Sequence, residues 1–363
     1  MIEENTGFPG ALPSPLDERD YKWEEIAMGL STIDWRKGYD VEKKLGVTIA
    51  AKDQGPSFSC GGQAWAYLAA VQEALATGTY EERSAKFVYA QTAVRGGGSA
   101  GRTNSILYKD QGVCLEPLCV SYKDGKAPDE AFMVRSADIT SQARTDARKA
   151  LAKSYVSVSP DINSIAQAIS ANGGVIIGIA GTDNGTWRSE FPKAPVDGES
   201  QWNHWVYAGK AKMIRGKRHI GIINSWGLKT GDKGWQWISE DYIHATAYNP
   251  SFGFERACVW EVWSVSYNTD VPNGYTHNFA KDIAYGERGD EVRALQLSLQ
   301  EDGSFPAGFN LSQAAYPVAY YGDMTAAAVV KFRIKHGVDG SSDPRGRSAG
   351  PRTRAALNEI FNK

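Results

Sequence analysis

The apolar pattern of this chain changes from a helical to an extended period partway along its length. Between Gln63 and Leu75 the apolar residues recur at helical spacing, and Gly78 is placed to end that helix. From Val175 onwards the apolar residues form short runs that are rich in β-branched and aromatic side chains and are separated by turn residues. A helical first part followed by a mostly antiparallel second part predicts an α+β fold.

Further elements follow from the same patterns. Helices are predicted at 84–94 and 103–109, and Asp161 is placed to cap another that runs through Ser170 and is ended by Asn172-Gly173-Gly174. Gly96-Gly97-Gly98 predicts a loop where the backbone can approach a ligand closely. The predicted strands are 175–179, 204–208, 219–224, 235–238 and 258–265.

The N-terminal residues predict an extended leader over 1–33. Pro9, Pro13 and Pro15 interrupt every helix there, and few apolar side chains are available for burial. The same stretch lacks the apolar run of an export signal, so we expect no signal peptide in this chain. No stretch approaches the roughly 18 apolar residues of a membrane span, so no membrane partner is expected.

Length and composition are those of a folded protein with more than one domain. The chain has 363 residues, of which 42% are hydrophobic and 23% charged. A net charge of -2 without blocks of like charge gives no reason to expect a nucleic-acid partner. From Tyr267 the sequence turns to Asn, Thr, Asp, Pro and Gly, which is typical of a linker. We therefore predict a first domain at 34–266, a linker at 267–282 and a second domain at 283–363.

Three helices are predicted for the second domain. The segment Gly322-Asp323-Met324-Thr325 recurs as Gly350-Pro351-Arg352-Thr353, and Thr or Asp near each start can cap a helix. The apolar positions that mark the helices are Val292, Leu295 and Leu299, then Val329 and Phe332, then Leu357, Ile360 and Phe361.

The cysteines are few. Cys60, Cys114, Cys119 and Cys258 do not make a disulfide framework and lack the spacing of a zinc site, so neither a metal nor a cofactor is expected. Cys114 and Cys119 could close a small bridge, although buried or idle thiols account for them at least as well.

Cys60 differs from the others because it stands just ahead of the first predicted helix. Free N–H groups and the positive end of the helix dipole favour a thiolate there. A thiolate needs a proton partner, and His204 at the head of a predicted strand would be held rigidly. Asn224 can accept from the histidine ring and fix its orientation, while Trp226 can shield that bond from water. Gln54 is placed to donate to a developing oxyanion, with the Cys60 N–H as second donor.

At these residues the chain resembles the papain family (C1) of cysteine peptidases. The resemblance extends from about Thr32 to Ser266 and implies a two-lobed fold, with one helical and one antiparallel β lobe. It implies that the catalytic residues are Cys60, His204, Asn224 and Gln54. The matching segments are Lys52-Asp53-Gln54-Gly55-Pro56 with Cys60 after it, Asn203-His204, and Asn224-Ser225-Trp226-Gly227.

The resemblance also implies a substrate cleft. The Gly-rich loop and the segment Asp110-Gln111-Gly112-Val113-Cys114 resemble the cleft region of the family, and the substrate-binding residues would be Gly97, Gly98, Trp205 and Trp226. In the family a commonly small residue after the histidine helps to wall the pocket for the second substrate side chain. Trp205 at that place predicts a preference for small or slender side chains, unless its indole packs in the core.

Three features depart from the family pattern. Gly61-Gly62-Gln63 follow the cysteine where the family usually has Trp, and Ser57 stands where many members have a disulfide cysteine. Too few residues precede Gln54 for the long inhibitory propeptide of the family. The sequence therefore does not predict how activity is restrained.

The second domain resembles the peptidoglycan-binding modules of bacterial and phage wall enzymes, over about residues 283 to 363. The matching segments are Arg288-Gly289-Asp290-Glu291-Val292 with Leu295-Gln296, then Gly322-Asp323 to Phe332, then Thr353 to Leu357. We expect peptide or protein substrates and bacterial peptidoglycan as partners, with action at the cell envelope or outside the cell.

The leading hypothesis is a cysteine endopeptidase that works through a Cys60 acyl-thioester and is targeted to the cell wall by its second domain, as a phage or bacterial lytic enzyme would be. The alternative is a non-catalytic wall-binding protein that keeps a peptidase-like fold for recognition. An amidase with a different Cys-His fold is a third hypothesis, which does not explain Gln54 and the Asn-Ser-Trp-Gly segment together.

Overall fold

The structure is a computed structural model that describes residues 10–15, 17, 20–27, 33–122, 126–195, 198–267, 277–305 and 320–361. Its helices are α1 Trp23–Ile26, α2 Val41–Leu45, α3 Cys60–Thr77, α4 Ala85–Thr92, α5 Gly101–Gln111, α6 Glu130–Met133, α7 Ser141–Ala147, α8 Ile162–Asn172, α9 Glu240–His244, α10 Asp290–Glu301, α11 Asp323–His336 and α12 Pro351–Phe361. Its strands are β1 Ala11–Leu12, β2 Tyr39–Asp40, β3 Ser99–Ala100, β4 Ala152–Ser157, β5 Val175–Gly181, β6 Trp202–Ile214, β7 Lys217–Ile223, β8 Trp235–Ser239, β9 Thr246–Asn249, β10 Phe254–Ala257, β11 Val259–Tyr267, β12 Ile283–Ala284 and β13 Ser348–Ala349.

The helical part of the first domain is built around α3. This helix is buried along most of its length because α4, α5 and the sheet strand β6 pack on different sides of it. It ends at Gly78, which takes a left-handed conformation with a φ of 81° and donates its N–H to the Ala74 carbonyl. The predicted helix at 84–94 is also present as α4, with the Ser84 side chain accepting from Phe87 N–H.

The second part of the domain is a seven-stranded sheet with the order β4-β11-β5-β6-β7-β8, and β2 pairs with β6. Every pairing in it is antiparallel. Helix α8 covers one face, with Asp161 as its cap and Gly173 at its end, and buries Ile162, Ile165 and Ile169. Helix α3 packs on β6, so its start meets the middle of the sheet. The predicted α+β class is confirmed.

The described residues before the first domain form two short elements, whereas the prolines predict a purely extended leader. Strand β1 pairs with β3 in parallel, and α1 forms one helical turn. Trp23 of that turn is buried against the α8 face of the sheet, where its Nε1 donates to Gln167 Oε1 at 3.1 Å. Burial of one indole stabilises by roughly 1.5–3 kcal/mol, which is enough to hold a short segment in place.

Helices α10, α11 and α12 surround a separate apolar core, closed by the β12–β13 pair. This core includes Phe279, which lies within the predicted linker, and β11 runs to Tyr267, the first residue of that linker. The two threonines of the repeated segment do not cap their helices. Gln296 Nε2 donates to Thr325 Oγ1 at 2.8 Å and Arg333 Nε donates to Thr353 Oγ1 at 2.8 Å, because both threonines are buried between elements.

The second domain contacts the first through α10. Arg293 forms an ion pair with Asp110 at 2.5 Å, and Arg144 Nη1 donates to Gln300 Oε1 at 3.2 Å. Arg148 Nη2 donates to the Leu297 carbonyl at 3.4 Å.

Within the described ranges, none of the helices is long and apolar enough to cross a membrane.

Candidate active site

Cys60 is the first residue of α3 and its side chain is fully buried. Burial raises the pKa of its thiol to about 12, while backbone N–H groups of Trp205, Gly61 and Gly10 bond to the sulfur and oppose that shift. The sulfur therefore lies where the start of α3 meets β6. The other cysteines are free and buried as well, including Cys114 and Cys119, which do not form a bridge.

His204 precedes Trp205 on β6 and is 1% exposed. Its Nε2 lies 2.9 Å from Asn224 Oδ1, and its Nδ1 is buried without a hydrogen-bond partner among the described groups. Burial lowers the pKa of the imidazole to about 4, and the bond with Asn224 opposes this in part. One ring nitrogen is thus engaged, and the other is available to a proton from a neighbouring group.

Asn224 directly follows β7 and is fully buried. Its backbone N–H donates to the Gly234 carbonyl at 2.9 Å, and Ser225 N–H donates to its Oδ1 at 2.8 Å. Trp226 lies over the histidine, with ring centroids 4.8 Å apart and a tilt of 32°. The indole therefore lies beside the ring that bonds to Asn224, and its role as a shield for that bond stays a prediction.

Gln54 is 1% exposed and bonds both to Ser225, which follows Asn224, and to Ser57, which precedes Cys60. Its Oε1 accepts from Ser225 Oγ at 2.7 Å, and its Nε2 donates to the Ser57 carbonyl at 2.7 Å. A side-chain amide has two N–H bonds, so one remains after the bond to Ser57. The structure thus connects His204 with Asn224, Trp226 and, through Ser225, Gln54, while Cys60 contacts the backbone of Trp205, the residue after His204.

The glycine loop lies beside the N-terminal segment. Gly97 and Gly98 have φ values of 94° and 84°, and an added Cβ would meet the Phe58 ring at 2.5 Å and the Gly10 carbonyl at 2.7 Å. Only glycine fits such a close approach. Gly98 donates its N–H to Tyr89 Oη and its carbonyl accepts from Val94, so the backbone group that faces the segment belongs to Ser99.

Trp205 is buried in the core beneath this loop. Its ring lies 5.5 Å from that of Trp65 and 4.9 Å from that of Trp260, and its Nε1 donates to the Ser99 carbonyl at 2.9 Å. With 1% exposure it is a packed core side chain rather than an open pocket wall. The position of Trp205 therefore agrees with the alternative in which its indole packs in the core, and not with a place in the wall of a substrate pocket.

Residues 10–15 lie beside the glycine loop, with Gly10 against Cys60, a placement that the sequence does not reveal. Ser99 N–H donates to the Gly10 carbonyl at 3.0 Å as β1 pairs with β3. Ser14 Oγ donates to Glu261 Oε1 at 2.5 Å, which anchors the segment on β11. Asp20, which follows this segment in the chain, forms an ion pair with Arg102. The buried state of Cys60 follows from this cover.

In the part of the chain that the structure describes, no three His, Cys, Asp or Glu side chains gather in a way that could hold a metal ion.

Comparisons with known proteins bear on the fold. No family model matches the chain, and no curated protein matches it. Among solved structures, it is similar to xylellain, a cysteine protease from Xylella fastidiosa, with a TM-score of 0.55, 19% identity, and coverage of 71% of this chain and 95% of that one.

Two further solved structures are similar at lower scores. The bromelain protease from Ananas comosus has a TM-score of 0.48 and 18% identity, covering 63% of this chain and 98% of that one. Digestive procathepsin L 3 of the Tenebrio molitor larval midgut has a TM-score of 0.49 and 19% identity, covering 64% and 71%. The similarity to xylellain shows that this chain has a papain-like fold.

Proposed function

We propose that this protein is a cysteine peptidase that hydrolyses peptide bonds through an acyl-thioester on Cys60. The observation that carries the proposal is the hydrogen-bonding state of His204. Its Nε2 lies 2.9 Å from Asn224 Oδ1, and its Nδ1 has no partner in the described structure. The sulfur of Cys60 accepts from the backbone N–H of Trp205, the next residue on the same strand. The base thus bonds to its orienting amide, and the proposed nucleophile contacts the backbone of the residue that follows the base.

The reaction begins with transfer of the Cys60 proton to His204 Nδ1. The sulfur attacks the carbonyl carbon of the substrate, a C–S bond forms, and an electron pair moves onto the carbonyl oxygen. When this intermediate collapses, the C–N bond breaks and the amine takes the proton from His204. Water then attacks the thioester carbon and His204 accepts its proton. The C–S bond breaks, the sulfur takes the proton back from His204, and the acid product leaves.

Charge on the carbonyl oxygen needs donors that are already in place. The free N–H of Gln54 Nε2 and the backbone N–H of Cys60 serve this role, because Gln54 is fixed by Ser57 and Ser225 before substrate arrives. Removing one such donor typically lowers kcat by about 100- to 1,000-fold.

While residues 10–12 cover the site, the uncharged forms of Cys60 and His204 are favoured. Burial raises the pKa of Cys60 and lowers the pKa of His204, so the thiol and the neutral imidazole are both stabilised. Departure of residues 10–12 would admit water and substrate and would reduce both shifts. We infer that peptide turnover requires displacement of this segment.

Turnover of a fluorogenic peptide by the wild type and by Cys60→Ala tests the activity. We expect the wild type to be active and to be inactivated by thiol-alkylating reagents, and we expect no turnover by the variant. Undiminished turnover in Cys60→Ala would refute the proposal.

We further propose that the second domain binds peptidoglycan and brings the peptidase to bacterial cell walls, as in a bacterial or phage lytic enzyme. Support comes from the three helices α10–α12 and from the motif segments at their starts. The full-length Cys60→Ala protein should sediment with purified peptidoglycan and stay in solution with cellulose. Equal sedimentation with both, or with neither, would contradict wall targeting.

A non-catalytic wall-binding protein is the second candidate, and the buried Cys60 beneath residues 10–12 favours it. The same two assays separate the candidates. Wall binding without peptide turnover, even after the segment is displaced, would support this second function.

A further inference from the structure

Gln236 is a fully buried glutamine on β8 that the proposed reaction does not use. Its Nε2 donates to two backbone carbonyls, those of Trp187 at 2.8 Å and Ser189 at 2.9 Å. Its Oε1 accepts from Asn224 Nδ2 at 3.0 Å. The sheet register explains this contact, because Gln236 pairs with Ile222 two residues before Asn224.

The two carbonyls determine which way the Gln236 amide points. A carbonyl oxygen can only accept, so the NH₂ group must face Trp187 and Ser189. The flipped amide would place Oε1 against two carbonyl oxygens and leave three buried acceptors without a donor, which is costly. Gln236 Oε1 therefore faces Asn224 and must accept from it.

The orientation of Asn224 follows from that of Gln236. Its Nδ2 faces the Gln236 oxygen, so its Oδ1 faces His204 Nε2 at 2.9 Å. The Ser225 N–H donates to the same Oδ1 at 2.8 Å and favours the same orientation. Two independent contacts thus agree on one amide conformer.

The protonation of His204 is fixed in turn. Since Asn224 Oδ1 can only accept, His204 Nε2 must carry a hydrogen, and the neutral ring has its lone pair on Nδ1. That lone pair is the one that the proposed reaction uses to take the Cys60 proton. Two backbone carbonyls at 187 and 189 therefore set the tautomer of the histidine through two buried amides.

We propose that Gln236 is a positioning residue, which holds His204 in its Nε2-protonated tautomer by fixing the amide of Asn224. This inference rests on the proposed peptidase function. The mechanism acts only through Asn224, so it predicts that the effect of Gln236 depends on the presence of that residue.

The test compares Gln236→Met, Asn224→Ala and the double variant in peptide turnover. Methionine keeps the length of glutamine and removes every hydrogen bond. In the wild-type background Gln236→Met should lower kcat by about 10- to 100-fold with little change in KM, because the Asn224 amide then loses its Nδ2 contact and is oriented by the Ser225 N–H alone. In the Asn224→Ala background the same substitution should change kcat by less than about 2-fold.

Gln72 provides a matched control. It is 2% exposed, its Nε2 donates to the carbonyls of Asn172 and Val265, and its Oε1 accepts from Tyr108 Oη. Gln72→Met removes the same set of bonds at a distance from His204. It should lower the melting temperature without lowering kcat of the folded protein.

A second readout does not need a substrate. The rate of Cys60 alkylation as a function of pH reports the thiolate that His204 stabilises, and Gln236→Met should shift this profile to higher pH by comparison with Gln72→Met. Equal kcat losses in both backgrounds, or an alkylation profile that matches the Gln72→Met control, would overturn the role of Gln236. Absence of peptide turnover in the wild type would instead contradict the peptidase function, and the alkylation profile would then decide the role of Gln236 alone.

Discussion

The backbone of Gly10 lies against the sulfur of Cys60. An ideal Cβ added to Gly10 would come within 2.8 Å of Cys60 Sγ and within 2.2 Å of the Phe58 carbonyl oxygen. There is room for the main chain at this point but for no side chain. The nucleophile of the proposed reaction is therefore covered by a segment of its own chain.

Gly10→Val should open the cleft. Overpacking costs roughly 1–3 kcal/mol and would fall on the covered state alone, so the open population should rise by about 5- to 150-fold. Alkylation of Cys60 and peptide turnover should both accelerate. Ser14→Ala, which removes an anchor to Glu261 but adds no bulk, should have a smaller effect in the same direction. Unchanged alkylation in a folded Gly10→Val protein would mean that the segment does not restrict access.

The stability of the protein should depend on His204 at acid pH. Burial lowers the pKa of this ring from 6.5 to about 4, so between these values the unfolded chain binds a proton that the folded chain does not. The free energy of unfolding should thus fall as the pH falls from about 6.5 to about 4, by about 3 kcal/mol from this residue.

Urea unfolding at several pH values measures this slope. His204→Gln should have a flatter profile than the wild type, whatever its stability at neutral pH. A wild-type slope that persists in His204→Gln would assign the acid sensitivity to other groups.

His204 and Asn224 should differ in their importance. His204→Ala removes the group that carries the proton and should lower kcat by about 100- to 10,000-fold, whereas Asn224→Ala removes only the orienting amide and should cost less. Steady-state kinetics on one peptide substrate measures both. A larger kcat loss in Asn224→Ala would contradict the roles given to the two residues.

Trp205 should behave as a core residue. Its ring packs against Trp65 and Trp260, so Trp205→Ala should destabilise the protein by about 3–5 kcal/mol. Ranking of substrates with Gly, Ala, Val, Leu or Phe at the second position before the cut should change little among molecules that stay folded. A changed ranking with full stability would instead place the indole in a substrate pocket.

Local signals predicted the parts of the fold that depend on short-range chemistry. Gly78 and Gly173 end helices as expected, and Asp161 caps α8, because caps and turns need only a few adjacent residues. The motif segments also predicted which residues would meet at the candidate site, since His204 and Asn224 lie within hydrogen-bond distance. Their chemical roles stay predictions.

Long-range contacts were not predictable in this way. The residues around Gln236 predict only a strand. The orientation of its amide depends on the carbonyls of residues 187 and 189, which are far away in the sequence. Gly10 gives no local sign that it reaches Cys60. Thr325 and Thr353 looked like caps, but burial between elements gave them other partners. In each case tertiary packing decided what the local pattern left open.

The most direct test of the account is capture of the acyl-enzyme. An acid-quenched mixture of the Gly10→Val protein and a peptide substrate should contain protein whose mass has increased by the acyl part of that substrate. Peptide mapping should place the added mass on Cys60, and the adduct should be absent from the corresponding Cys60→Ala double variant. An adduct on another residue, or peptide cleavage that persists without Cys60, would contradict the proposed mechanism.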